Sequence, residues 1–292
     1  MEFCSVRSEI KLNNEILDSD SERIKETTNE FINFNEKFGE RLSLEKAQEN
    51  IEFFHNRSKE QILELHGEFI SGESYDRIIK GVDSIRAVKY NQNKSSIGAF
   101  YYHNGETNIE VCNLDREQLE RTTQHETNHF MSFNKETQQF IDYESLERKC
   151  NKISGIHECE FVVDSKDNIC EFKDLNRGFN EGITQMYTNR QLEAIAPYKG
   201  ELSARQNGYQ YATELSEQVE GIVGPEMIAK AYYGGELKPL EEKINQLGGK
   251  GSFARFSKDI DVVTYSIDYV ERLQAMRDAQ GILASMSEGG IQ

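Results

Sequence analysis

His125-Glu126-Thr127-Asn128-His129 sets two imidazoles four residues apart, with a carboxylate directly after the first. On a helix, positions four apart share a face one turn apart, so both rings can reach one ion while Glu126 stands beside its open position. Two imidazoles at this spacing suit zinc, which in catalytic sites takes three protein ligands and leaves a fourth position for water. A third ligand is therefore required. Glu181, in Gly178-Phe179-Asn180-Glu181-Gly182, is the candidate, because it follows Asn180 at a helix start and that helix can pack beside the first. The competitors are His157, which would place a ligand on a strand or loop, and Asp142 or Glu144, which lie close in sequence to the motif.

An H-E-x-x-H helix followed downstream by an Asn-Glu helix start resembles the gluzincin superfamily of zinc metallopeptidases, to which thermolysin and neprilysin belong. The matched pieces cover roughly a quarter of the chain. The resemblance implies a zincin-like α+β fold and one Zn2+ per chain held by His125, His129 and Glu181. It also implies hydrolysis of peptide bonds with Glu126 as general base, acting on a peptide or protein substrate. A tyrosine or histidine that steadies the developing oxyanion is expected as well; Tyr211 is assigned that role, with His157 as the alternative. In thermolysin-like members an acidic residue four positions after the ligand glutamate orients a zinc-bound histidine, whereas this chain has Gln185, whose carbonyl can still accept a ring N–H. Ala99-Phe100-Tyr101 resembles the edge strand that such enzymes use to hold substrate backbone, with Gly98 in place of the usual asparagine. Placed on an inner strand, the same segment could not do this. The competing class is a catalytically silent zinc-binding or interaction module of the same fold. A helical protein with His125 and His129 on its surface is a third.

The formal net charge of −17 argues against nucleic acid and against anionic membranes as partners, since both are bound through surplus Lys and Arg. That charge is read as a solubility device in preference to a lure for basic peptides. No run reaches the roughly 18 apolar residues of a membrane span, and residues 1–10 lack the apolar core of a secretory signal. The expectation is a cytoplasmic protein, nonclassical export aside. Five cysteines without a CxxC pair do not form a disulfide scaffold; Cys159 and Cys170 could bridge across a hairpin only in an oxidising compartment. His55 and His66 read as surface or packing residues.

The elements that must position these residues follow from periodicity. Residues 1–83 form an N-terminal helical region, frayed over the first fifteen or so, with Ile51, Phe54, Ile62, Leu65 and Phe69 at helical spacing and Ser58 read as the cap of one helix. Residues 84–200 form the α+β core. Its strands are Ile85–Tyr90, Ile97–Tyr102 and Asn108–Cys112, the last two joined at Asn104-Gly105. The motif helix is capped by Asp115, and a charged helical stretch runs from Phe133 to about Cys150. Two strands then flank Asp164, and the Glu181 helix closes the region. Residues 201–292 form a helical subdomain over the cleft: Tyr209–Val223, a break at Gly224-Pro225, Glu226–Tyr233, Leu240–Leu247 and a long last helix ending near Ser287. Oligomeric state is left open.

Overall fold

The computed structural model describes residues 40–91, 96–103, 106–142, 147–165, 169–195 and 209–289. The frayed tail, the Asn104-Gly105 turn, Cys4, Glu144 and the side chains of Asp142 and Cys170 lie outside them. The fold is mixed, helices with two small sheets.

Helix α1 (Leu44–His66) starts at Ser43, whose hydroxyl accepts the Lys46 N–H at 3.2 Å, and buries Ala47, Ile51, Phe54, His55, Ser58 and Ile62. It runs straight through Ser58, so the cap expected there is not one. Ser58 is fully buried, and its hydroxyl is used to reach Gln191 at 3.2 Å. Helix α2 spans Gly72–Lys80. Strands β1 (Ser84–Val88), β2 (Gly98–His103) and β3 (Glu106–Cys112) form one sheet in the order β1-β3-β2. In it β1 is parallel to β3 and β2 is antiparallel. Strand β2 is therefore an edge. Helix α3 (Arg116–Ser132) is capped by Asp115, whose carboxylate accepts the N–H groups of Glu117 and Gln118 at 3.0 and 3.1 Å.

The stretch expected to be helical after Phe133 is extended. Strands β4 (Phe133–Asp142), β5 (Glu147–Ser154), β6 (His157–Val163) and β7 (Ile169–Leu175) form an antiparallel meander in chain order. Its Lys, Glu and Gln content mimics a solvated helix, but cross-strand pairing from Phe133↔Ser154 to Asp142↔Glu147 overrides that propensity. The Cys159–Cys170 bridge does not fit this register: Cys159 is a free thiol opposite Asp174, and Val163 is the partner of Ile169.

Helix α4 (Arg177–Ile195) follows β7 at once. Beyond it lie α5 (Gln210–Val223), α6 (Pro225–Gly234), α7 (Leu237–Gly248), α8 (Ser252–Tyr265) and α9 (Tyr269–Gly289). The expected long last helix is thus two. It breaks at Ser266-Ile267-Asp268, where the Asp268 carboxylate caps the N–H groups of Val270 and Glu271 at 2.8 and 3.1 Å. One apolar core joins residues from Ala47 to Met286. Phe130 on α3 and Phe179 and Ile183 on α4 are fully buried in it, each contributing roughly 1.5–3 kcal/mol. None of the described helices is long and apolar enough to cross a membrane.

Candidate metal centre

Helix α3 has a polar sequence yet is buried at every position from Arg121 to Ser132 except His129. A buried polar group is costly unless it is hydrogen-bonded. The threonines meet that need within their own helices: Thr123 and Thr127 donate to the carbonyls of Leu119 and Thr123, both at 2.7 Å, and Thr184 and Thr188 do the same on α4 at 2.8 Å. The amides meet it between helices. Asn128 and Gln191 exchange hydrogen bonds at 3.2 Å in both directions, and Asn128 also donates to Thr188 at 3.1 Å and accepts from the Tyr233 hydroxyl at 2.8 Å. Asn128, one of the two variable residues inside the motif, thus sets α3 against α4. Sequence spacing gave it no role.

On α4, Asn180 fixes the entry of the helix. Its side-chain oxygen Oδ1 accepts the Ile156 N–H at 3.0 Å, in the two-residue turn between β5 and β6. Gly155 of that turn has φ +61°, and a Cβ there would stand 2.1 Å from Asn180 Oδ1. On the far side, a Cβ at Gly182 would stand 2.4 Å from the Ala212 carbonyl oxygen, so this glycine lets α5 close onto α4. The residues flanking Glu181 position it.

His125 Nε2 and His129 Nε2 lie 3.1 Å apart, and Glu181 Oε2 lies 3.1 Å from the first and 3.3 Å from the second. Donors held at about 2.0–2.1 Å by a tetrahedral zinc stand about 3.3 Å apart, so the three atoms match one face of such a coordination polyhedron. His125 Nδ1 lies 3.1 Å from Gln185 Oε1, and the Gln185 amide donates in turn to Asn189 at 2.8 Å. The Gln185 carbonyl must then accept Nδ1–H, which leaves the Nε2 lone pair facing the other two donors. Among the described residues, His125, His129 and Glu181 form the group of this kind that could hold a metal ion.

Burial alone would lower the His125 pKa, but hydrogen bonding and charge from Glu181 overrule it and raise it above the ordinary value. Burial would likewise raise Glu181, and the two imidazoles hold it well below the usual carboxylate range. Glu126 moves the opposite way. Burial raises it, with Glu181 adding to the rise, while His125, His129 and the Phe100 N–H oppose it. That N–H belongs to β2, so the edge strand runs directly past this carboxylate. Gly98 explains the closeness: a Cβ there would stand 2.4 Å from Thr122 Cγ2 and 2.8 Å from Glu126 Oε1. An asparagine could not occupy this position without displacing the Thr122 and Glu126 side chains.

The structure brings His125, Glu126, His129, Glu181 and Gln185 together. It does not bring Tyr211 to them. Tyr211 is a buried core residue on α5, with Arg272 of α9 in its surroundings. Tyr209 is at the site: its ring stacks on His125 with centroids 5.6 Å apart and planes 9° apart. The Glu181 charge, then burial, push its hydroxyl well above its ordinary pKa, so it stays a neutral donor. Only Gln210 lies between them: Tyr209 stands at the N-cap of α5, and Tyr211 inside its first turn. His157 contacts Asp174 instead of the ligands. His55 and His66 are packing residues: His55 Nδ1 meets Thr127 at 3.0 Å, burial brings its pKa to about 4, and His66 stacks on Tyr233.

Comparison with protein-family models, with curated proteins and with solved structures finds no match to this chain.

Proposed function

We propose that the chain is a zinc-dependent metallopeptidase of gluzincin type. The observation that carries the reading is the triangle of His125, His129 and Glu181 donor atoms, 3.1–3.3 Å on each side, with the Glu126 carboxylate of α3 beside it, against the Phe100 N–H of edge strand β2. Ligands alone would suit a silent metal-binding module. A buried carboxylate that is not a ligand, placed next to them, favours the enzyme.

His125, His129 and Glu181 would hold a zinc ion, whose Lewis acidity would bring the pKa of water down to about 7. Glu126 accepts the proton of the attacking water and returns it to the departing amine. Its raised pKa suits both halves of that exchange. Tyr209 donates its hydroxyl proton as a hydrogen bond to the carbonyl oxygen as charge develops there. Among the described residues no strand pairs with the outer side of β2, and an extended peptide added there would line the scissile bond up with Glu126.

Purified protein should carry one zinc per chain, a chelator should abolish peptide cleavage, and zinc should restore it. Glu181→Ala should weaken zinc binding at least about tenfold, measured by competition with a chelating dye, since losing a direct ligand exceeds the smaller effects of losing a ligand's hydrogen-bond partner. Parent-like zinc affinity in Glu181→Ala would overturn the ligand set.

A further inference from the structure

Arg177 opens α4 one helical turn before Glu181, on the same face. Its guanidinium lies over the Tyr265 ring at 4.7 Å, and both Glu181 and Tyr209 are within its electrostatic reach. Nothing in the fold uses it fully. A cation in the first turn of a helix opposes the helix dipole, so it does not serve α4. Its ion-pair partner, Asp174, lies 3.8 Å away, beyond hydrogen-bond distance, and the other oxygen of Asp174 is taken by His157. The Arg177 side chain makes no hydrogen bond to any described residue, and it is 54% exposed. Five N–H donors in a rigid fork are thus held over an aromatic ring, with the acidic groups Glu181, Asp174 and Asp261 in electrostatic reach.

We propose that Arg177 forms a carboxylate-binding subsite next to the metal centre and selects substrates carrying a carboxylate one or two residues from the scissile bond. The spacing follows from the helix. Four residues advance about 6 Å, and an extended peptide covers at most about 3.3–3.6 Å per residue. The carboxylate can come from an acidic side chain or from the substrate's own C-terminus. Guanidinium recognises both in the same bidentate manner. The inference rests on the peptidase reading for its meaning, and its test is chosen to stand apart from turnover.

The probes are fluorescent octapeptides of neutral sequence with an amidated end, the same peptides with a single Glu moved through each position, and a truncation series with a free C-terminal carboxylate. Binding is measured by polarisation on zinc-loaded Glu126→Gln protein, which keeps the ligands and does not consume the probe. At least one placement should bind about tenfold more tightly than the neutral parent. Adding Arg177→Gln should erase that gain at equal zinc content without weakening the neutral peptide, and Arg177→Lys should retain part of it. A gain in the Glu scan identifies a side chain, and a gain in the truncation series identifies a chain end. Equal affinities across all probes, or a preference that survives Arg177→Gln, would overturn the proposal. If the preference is found while the parent protein cleaves no peptide, the peptidase reading fails and the subsite stands.

Discussion

Tyr209 and Tyr211 show how much two positions at the start of one helix decide. Both belong to Tyr209-Gln210-Tyr211, yet one ring stacks on a ligand histidine and the other packs in the core. Removing the hydroxyl of a residue that stabilises an oxyanion costs roughly ten- to a thousandfold in turnover. Tyr209→Phe should show such a loss with unchanged zinc content, because its ring, which packs on His125, remains. Tyr211→Phe should leave kcat unaltered. Steady-state kinetics on the two variants decide between them, and a reversed pattern would return the donor role to Tyr211. The two candidate histidine ligands were legible because a four-residue spacing fixes a common face whatever surrounds it. The donor was not, since the side of α5 facing the site depends on how α4 and α5 meet, and Gly182 controls that through a contact with Ala212.

At the level of elements, the centre is a helix pair with an edge strand laid across it. Gly98 is the point where strand and helix touch. Gly98→Ala would force a Cβ into Thr122 and Glu126, and overpacking of this kind costs about 1–3 kcal/mol. Such a loss lowers the melting temperature by several degrees. Turnover should fall further than stability explains, by at least about tenfold, because a small displacement of a positioned catalytic group is expensive. Calorimetry and kinetics on the same sample separate the two effects, and normal turnover in a destabilised variant would show that Glu126 does not depend on β2 for its position. Strands β1 to β3 were readable from their period and their bounding turns. The meander was only half readable. Phe133–Asp142 and Glu147–Ser154 carry residues that suit a solvated helix, and only their pairing with each other and with β6 makes them strands. Asn128 and Gln191 were silent for a related reason: their amides gain meaning only once α3 and α4 are adjacent.

For the molecule as a whole, metal binding and protonation are linked. Without metal, Glu181 raises the pKa of His125 above the ordinary histidine value, while a ligand imidazole must be unprotonated. Zinc binding there would therefore displace a proton from His125, and affinity should fall as pH drops through that raised pKa, starting at a higher pH than for an ordinary histidine. Isothermal titration in two buffers of different ionisation enthalpy should reveal net proton release on binding near neutral pH. Zinc-dependent thermal stabilisation should shrink over the same range, since a ligand stabilises the native state in proportion to its effective affinity. Proton-neutral binding with pH-independent stabilisation would place the metal elsewhere.

The decisive comparison is cleavage of a diverse peptide library, read by mass spectrometry as new chain ends, by the parent protein and by Glu126→Gln at equal zinc content. The parent should generate new ends, and the variant should retain its zinc while losing at least about a hundredfold in rate, the scale expected for removing a general base. Zinc-loaded parent protein that cleaves nothing, or a Glu126→Gln protein that cleaves at the parent rate, would contradict the assignment of this centre to peptide hydrolysis.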